Sequence, residues 1–276
     1  FNGHQETVED LLQRADLAMS QAKQAGRSTL RFFDPDVQAA VSARAAMERE
    51  LRKAIDDGQF VLFYQPQVDA TGRIVGAEAL LRWRHPERGL VPPGDFIPLT
   101  EETGLIIPIG QWILKCACDQ LAAWALRAEL AHLNLSVNVS ARQFHHADFS
   151  EQVLAAVAHS GANPARLKLE LTESLLVEDA EHVITRMTRL KNDGIGFSLD
   201  DFGTGYSSLA YLKRLPLDQL KIDQGFVKDL LTNPDDVAIT RTIIALAENL
   251  GLTVIAEGVE HEAQRDILLR QGCQTY

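Results

Sequence analysis

From about residue 59 onward the chain alternates short apolar, β-branched runs with longer stretches of helical spacing, and few folds accept that pattern. The runs are FVLFYQPQV (60–68), IVGAEALLRW (74–83), LNLSVNVS (133–140), LKLELTES (167–174), IGFSLDDFG (195–203), LDQLKID (217–223) and LTVIAEGVE (252–260). Between most of them lie helical patterns such as DFSEQVLAAVAHSG, SLLVEDAEHVITRMTRLKNDG and DDVAITRTIIALAENLG. Seven strands with intervening helices over about 220 residues suit a (β/α) barrel, which takes roughly 250 residues, better than an open doubly wound sheet, the second choice.

The first 58 residues read differently. Val8, Leu11, Leu12, Ala15, Met19 and Ala22 form an apolar helical stripe, capped by Thr7 with Asp10 and stopped at Gly26, and STLRFF follows as one short strand. A lone helix and strand cannot build a core, so residues 1–35 are expected to be the tail of a domain whose body lies upstream. Val37, Ala40, Ala43, Met47, Leu51 and Ile55 then predict a linker helix over 36–58, ended by Gly58, before the main domain at 59–276. Phe1 opens a polar stretch, not a signal peptide, and no run of about 18 apolar residues occurs. With 27 Lys+Arg against 38 Asp+Glu, a net of -11, the chain is a poor general binder of duplex DNA or anionic lipid. Cys116, Cys118 and Cys273 are odd in number and include no CxxC, which argues against a disulfide scaffold or thiolate zinc site. Cys116 and Cys118, two apart on an apolar helix, are read as core packing. The expectation is a cytoplasmic fragment without DNA or membrane contact, whose full-length protein could be anchored through upstream regions.

The polar residues carry the chemistry. Glu78, Asn138, Glu170, Asp200, Lys221 with Asp223, and Glu257 all fall at or near the carboxyl end of an apolar run, and in a parallel barrel those ends converge on the face where such enzymes place their sites. Period-two alternation points Lys221 and Asp223 the same way, as it does Glu170 and Thr172, whereas Asp200 and Asp201 diverge unless the strand is already turning. Any one strand-end carboxylate is more often a loop cap or a surface charge. Several drawn into one pocket repel one another and lose solvation unless cations neutralise them. An all-oxygen set with one Asn carbonyl selects Mg²⁺ or Mn²⁺ over zinc, and the eight histidines contain no HxH or HExxH pair. Acidic metal clusters most often handle phosphate. Arg82, just after the Glu78 run, offers a planar fork for a second phosphate or, equally, rim packing. Gly203-Thr-Gly205 lacks a dinucleotide fingerprint and reads as a flexible loop able to close over the metal face.

EALLRW (78–83), NVS (138–140), ELTES (170–174), DDFGTGYSSL (200–209), KID (221–223) and EGVE (257–260), together and in order from about residue 45 to the end, resemble the EAL family of bacterial cyclic di-GMP phosphodiesterases. LLQRADLAMSQAKQAGRSTLRFF (11–33) is similar to the final helix and strand of a GGDEF diguanylate cyclase domain, whose signature motif does not occur here. The resemblance implies an α/β fold, a modified TIM-like (β/α)8 barrel with its first strand antiparallel, that hydrolyses one phosphodiester of cyclic di-GMP to linear pGpG. It implies one metal on Glu78, Asn138, Glu170 and Asp200 and a second on Asp200, Asp201 and Glu257, with Mg²⁺ or Mn²⁺ as cofactor. Lys221 and Asp223 would position or help deprotonate the attacking water, and Glu257 is the general base of a one-metal account. Glu173 would brace the DDFGTGYSSL loop, and Gln65 and Arg82 would contact substrate. A homodimer is also implied, with GGDEF or sensor domains upstream.

Two other readings compete: a receptor that binds cyclic di-GMP without cutting it, and an enolase-like barrel in which Lys221 abstracts a proton above bound Mg²⁺. One departure from the family pattern bears on the fold. The family continues past GC with a Gln-Gly-Tyr segment and a terminal strand and helix, whereas this sequence reads GCQTY, which sets barrel closure as a question for the structure.

Overall fold

The computed structural model describes residues 12, 14–16, 18, 19, 22, 23, 34–176, 180–203 and 209–276. The remainder of the proposed Val8–Ala22 stripe, the STLRFF strand and the Thr204–Ser208 part of the glycine loop lie outside the described residues. The chain forms two compact units, residues 1–53 and 54–276. In the first, Leu12, Ala15, Met19 and Ala22 are helical, and Leu12 and Met19 are exposed. Helix α1 (Pro35–Asp56) begins at a proline, as helices tolerate in their first turn, and gives way to Gly58 at φ 64°.

The second unit runs β1 (Phe60–Val68), β2 (Ile74–His85), β3 (Gly89–Val91), α2 (Ile97–Thr103), α3 (Ile106–Ala125), β4 (Asn134–Asn138), α4 (Ala141–Phe144), α5 (Phe149–Ser160), β5 (Leu167–Thr172), α6 (Ala180–Asn192), β6 (Gly196–Phe202), α7 (Leu209–Leu212), β7 (Gln219–Ile222), α8 (Gln224–Lys228), α9 (Pro234–Leu250), β8 (Thr253–Ala256) and α10 (Glu262–Gln271). All seven expected runs are strands, each ending within a few residues of its expected limits; β3, a three-residue partner of β2, adds to them. Helices stop where the sequence supplies left-handed glycines, as at Gly161 after α5 and Gly251 after α9. Helix α9 starts behind Asn233, whose side chain accepts from the Asp235 N–H, with Pro234 in the first turn.

The sheet order is β1-β2-β4-β5-β6-β7-β8. β1 is antiparallel to β2, pairing Gln65 with Glu78, and from β2 through β8 every step along that order is parallel. β2 and β8 stand far apart in this order, yet Glu78 of β2 and Glu257 just after β8 both reach Lys221 of β7, so the sheet curls into a ring. Residues 274–276 complete it: Val68 and Tyr276 exchange N–H···O bonds of 2.9 Å, Ala70 N–H donates to Gln274 at 2.9 Å, and Ala256 N–H donates to the Thr275 carbonyl at 3.0 Å. The question of closure is thus answered by a short segment lying between β8 and β1.

Each parallel strand sorts its side chains by period two. Leu135 and Val137, Leu169 and Leu171, Phe197 and Leu199, and Leu220 and Ile222 are almost fully buried and form one apolar face. The alternate residues, Ser136, Glu170, Ser198, Asp200, Gln219 and Lys221, are polar and also buried. They occupy the barrel's interior, which explains how strands reading as near-continuous apolar runs still deliver polar groups to one end.

Candidate active site

Lys221 is the hub. It lies on a fully buried strand, its side chain is 1% exposed, and Nζ meets Glu257 Oε1 at 2.5 Å, Glu170 Oε2 at 2.8 Å, and Glu78 Oε2 and Asp200 Oδ1 at 3.2 Å. Those four carboxylates come from β2, β5, β6 and the end of β8. Asn138, at the end of β4, donates its side-chain amide to Glu78 Oε1 at 2.6 Å, leaving its carbonyl oxygen as the free coordinating atom.

Asp200 and Asp201 do not diverge. Asp201 takes φ 53°, the one left-handed non-glycine among the described residues, and its N–H turns back onto Asp200 Oδ1 at 3.0 Å while the β6–β7 register slips between Leu199 and Phe202. That kink costs local strain and places both carboxylates on the barrel mouth. Oxygens of Asp200, Asp201 and Glu257 lie within 4.8 Å of one another. Asp223 caps α8 by accepting from Gly225 N–H at 2.9 Å, and its charge bears on Asp201. Glu173, just past β5, accepts from Gly203 N–H at 3.0 Å, so it grips the start of the glycine loop.

Burial sets the protonation behaviour. Desolvation pushes the Glu170 carboxyl well up, with Glu78 and Asp200 adding to the rise against the pull of Lys221. Glu257 is pushed up to about 7, again mainly by burial. Asp201 rises through burial and its neighbours Asp200 and Asp223. For Lys221 burial works the other way, but the four carboxylates overcome it and hold the ammonium charged. One ammonium among so many carboxylates leaves a surplus of negative charge. Glu170 Oε1 is moreover buried without a partner. An all-oxygen donor set, a buried orphan carboxylate oxygen and three carboxylates within one ion's reach fit a hard divalent cation.

A cleft of about 550 Å³ opens beside this cluster, lined among others by Gln65, Glu78, Gln224, Glu257, Gly258 and Tyr276. Gln65 thus faces the cluster across the β1–β2 pairing. Arg82 does not line the cleft: it lies four residues beyond Glu78, with its guanidinium 5.9 Å from the Phe63 ring and Nη1 donating to the Leu81 carbonyl. Its neighbour Trp83 is core, bonded to Gln59. Cys118 is buried and Cys116 partly so, consistent with packing. Sequence reasoning passes over Gln224 and Gly258. Gly258 at φ 68° would press a Cβ to 2.8 Å from Gln224 Cβ, so glycine lets the EGVE turn approach the KID turn. A glycine straight after a strand-end acid was the signal available.

Residues 48–276 match the EAL domain family. The whole chain is 45% identical to 40% of the length of the Pseudomonas aeruginosa bifunctional diguanylate cyclase/cyclic di-GMP phosphodiesterase MucR. It is 41% identical, over 96% of its length, to 33% of the Bacillus subtilis signaling protein YkoW. The chain therefore spans between a third and two fifths of these relatives. Among solved structures, the PaMucR phosphodiesterase in complex with c-di-GMP superposes with TM-score 0.80 at 48% identity, covering 83% of this chain and 93% of that one. The EAL enzyme Bd1971 with cAMP and cyclic di-GMP bound gives TM-score 0.83 at 33% identity, covering 98% and 71%. A barrel whose first strand runs antiparallel, an acidic mouth built from strand ends and a family match over residues 48–276 lead to one conclusion: this chain belongs to the EAL domain family.

Proposed function

We propose that this chain hydrolyses one phosphodiester bond of cyclic di-GMP to linear pGpG with the help of Mg²⁺ or Mn²⁺. The observation that carries the reading is the convergence of Glu78, Glu170, Asp200 and Glu257 on Lys221 beside an open cleft. Relatives described as a cyclic di-GMP phosphodiesterase and as cyclic di-GMP complexes support the substrate.

Glu78, Asn138, Glu170 and Asp200 are the residues that would hold one cation, and Asp200, Asp201 and Glu257 a second. Bound there, a divalent ion lowers the pKa of a water and offsets charge on a phosphoryl oxygen. The chain's own groups do the rest. With a cation on Glu78, Asn138, Glu170 and Asp200 alone, Glu257, raised to about 7, is poised to take a proton from the attacking water near neutral pH; with a second cation it serves as a ligand in place of that role. Lys221 fixes that carboxylate's position, and Asp223, tied to the Gly225 N–H, stays beside Asp201 at the mouth, where it could orient the water. Water oxygen bonds to phosphorus, the bond from phosphorus to the ribose 3′ oxygen breaks, and that oxygen leaves with a proton. Gln65 lines the wall where a ribose or base would lie, and Arg82 would have to swing off Phe63 to reach a phosphate.

Incubating the purified chain with cyclic di-GMP and Mg²⁺, with and without chelator, tests this. Linear dinucleotide formed with metal, stopped by chelator and lost in Glu78→Ala, is the expected result. Saturable binding with no product would instead make the chain a receptor. We also propose a homodimer, on the family resemblance; light scattering over a concentration series that shows monomer throughout rejects it. Among the described residues no helix is long and apolar enough to cross a membrane.

A further inference from the structure

The opposite end of the barrel carries a second polar chamber, of about 440 Å³, under the amino ends of β4, β5, β6 and β8. Its chemistry is the reverse of the mouth. Arg166 enters from the turn before β5, Lys168 from β5 on the same strand face as Glu170, and Lys191 from the last turn of α6. Against these three cations stands one carboxylate, Asp218, in a protein whose formal net charge is -11.

That carboxylate is already committed: Asp218 Oδ2 accepts from Phe197 N–H at 2.8 Å, and Oδ1 pairs with Lys191. Lys168 Nζ donates to the neutral Gln219 Oε1 at 2.9 Å, and Arg166 Nη1 to the neutral Asn134 Oδ1 at 3.3 Å. An ammonium carries three N–H donors and a guanidinium five, so these bonds leave much of the donor capacity unassigned. Gly194 and Gly196 bring side-chain-free backbone to the chamber wall. Cations gathered around a cavity and bonded largely to neutral amides are the arrangement that an oxyanion completes.

We infer that the floor of the barrel binds a phosphate-sized oxyanion among Arg166, Lys168 and Lys191, either free phosphate or the phosphomonoester end of a larger molecule. The site is separate from the carboxylate mouth, and it stands whether or not the mouth cleaves cyclic di-GMP.

The test uses the full chain in chelator, where the bare acidic mouth repels anions, and follows inorganic phosphate by ³¹P line broadening and calorimetry. Saturable one-to-one binding is expected, weakened about tenfold or more by Lys168→Met and by Arg166→Gln. Asp200→Asn, at the mouth, should leave it intact. If Lys168→Met fails to fold by circular dichroism, Lys191→Gln, whose side chain is 33% exposed, takes its place and should weaken binding likewise. A parallel titration with GMP separates the sources: tighter binding by GMP assigns the site to a phosphomonoester, tighter binding by phosphate to the free ion. No saturable binding of either up to about 20 mM, equal binding by wild type and the floor variants, or loss of binding in Asp200→Asn would overturn the inference.

Discussion

The mouth and the floor of this barrel are built by the same strands and differ in sign. At the mouth, carboxylates from four strands surround one lysine; at the floor, three cations surround one carboxylate. β5 shows the contrast within three residues, with Lys168 facing the floor and Glu170 the mouth on one face of the strand. The central lysine of the mouth is also far more buried than the floor's ion pair: Lys221 is 1% exposed, whereas Lys191 and Asp218 are 33% and 38% exposed. Solvent screens the Lys191–Asp218 pair more than the Lys221 hub, so equal changes in charge have unequal consequences.

The largest effect should follow Glu257→Gln, which removes the proton acceptor while keeping the shape. The turnover of cyclic di-GMP is expected to fall by about 10² to 10⁴-fold with little change in thermal stability. An unchanged rate would move the base to another residue. Next is Lys221→Met, which strips the hub of its cation and leaves buried carboxylates facing one another. A loss of about 3–5 kcal/mol in urea unfolding is expected in chelator, partly restored by Mg²⁺. Equal stability with and without Lys221 would mean that the mouth carries less charge than its geometry implies.

The pH response sharpens the same contrast. Glu170 and Glu257 have folded pKa values raised above those of the unfolded chain, so the folded state holds extra protons between about pH 4.5 and 7 and above. Stability of the metal-free protein should therefore fall as pH rises through that window, as melting curves in chelator would record, and Mg²⁺ should flatten the fall. A rise in its place would contradict the burial of these carboxylates. The smallest effect belongs to the floor. Breaking the partly exposed Lys191–Asp218 pair with Lys191→Met should cost no more than about 1 kcal/mol in urea unfolding. A larger loss would show the two ends to be alike.

How much of this is legible in the sequence depends on whether a feature is local. FVLFYQPQV declares β1 to the residue because its β-branched and aromatic run is bounded by Gly58 and the Asp69 turn. β3 is three residues long and carries no period to read. The strand-end acids can be placed on one face from alternation alone, but their convergence on Lys221 cannot, because it requires β2 and β8 to meet across a closed ring. The kink at Asp201 is hidden for another reason: aspartate rarely adopts φ 53°, and nothing in DDFG separates it from continued strand. Arg82 shows the limit of spacing. It shares the face of Glu78 and still lies on Phe63, since strand period gives a direction and not a reach.

The three residues 274–276, hydrogen-bonded to β8 on one side and β1 on the other, have a dimensional consequence. Neighbouring strands stand about 4.8 Å apart, so an intervening stave keeps Gln65 and Glu257 on walls roughly two such spacings apart. Were β8 to pair with β1 directly, the gap would narrow by half and the gorge would pinch shut against anything as broad as a nucleobase. Aperture here is a matter of main chain inserted between walls, and no side-chain substitution along those walls can substitute for it.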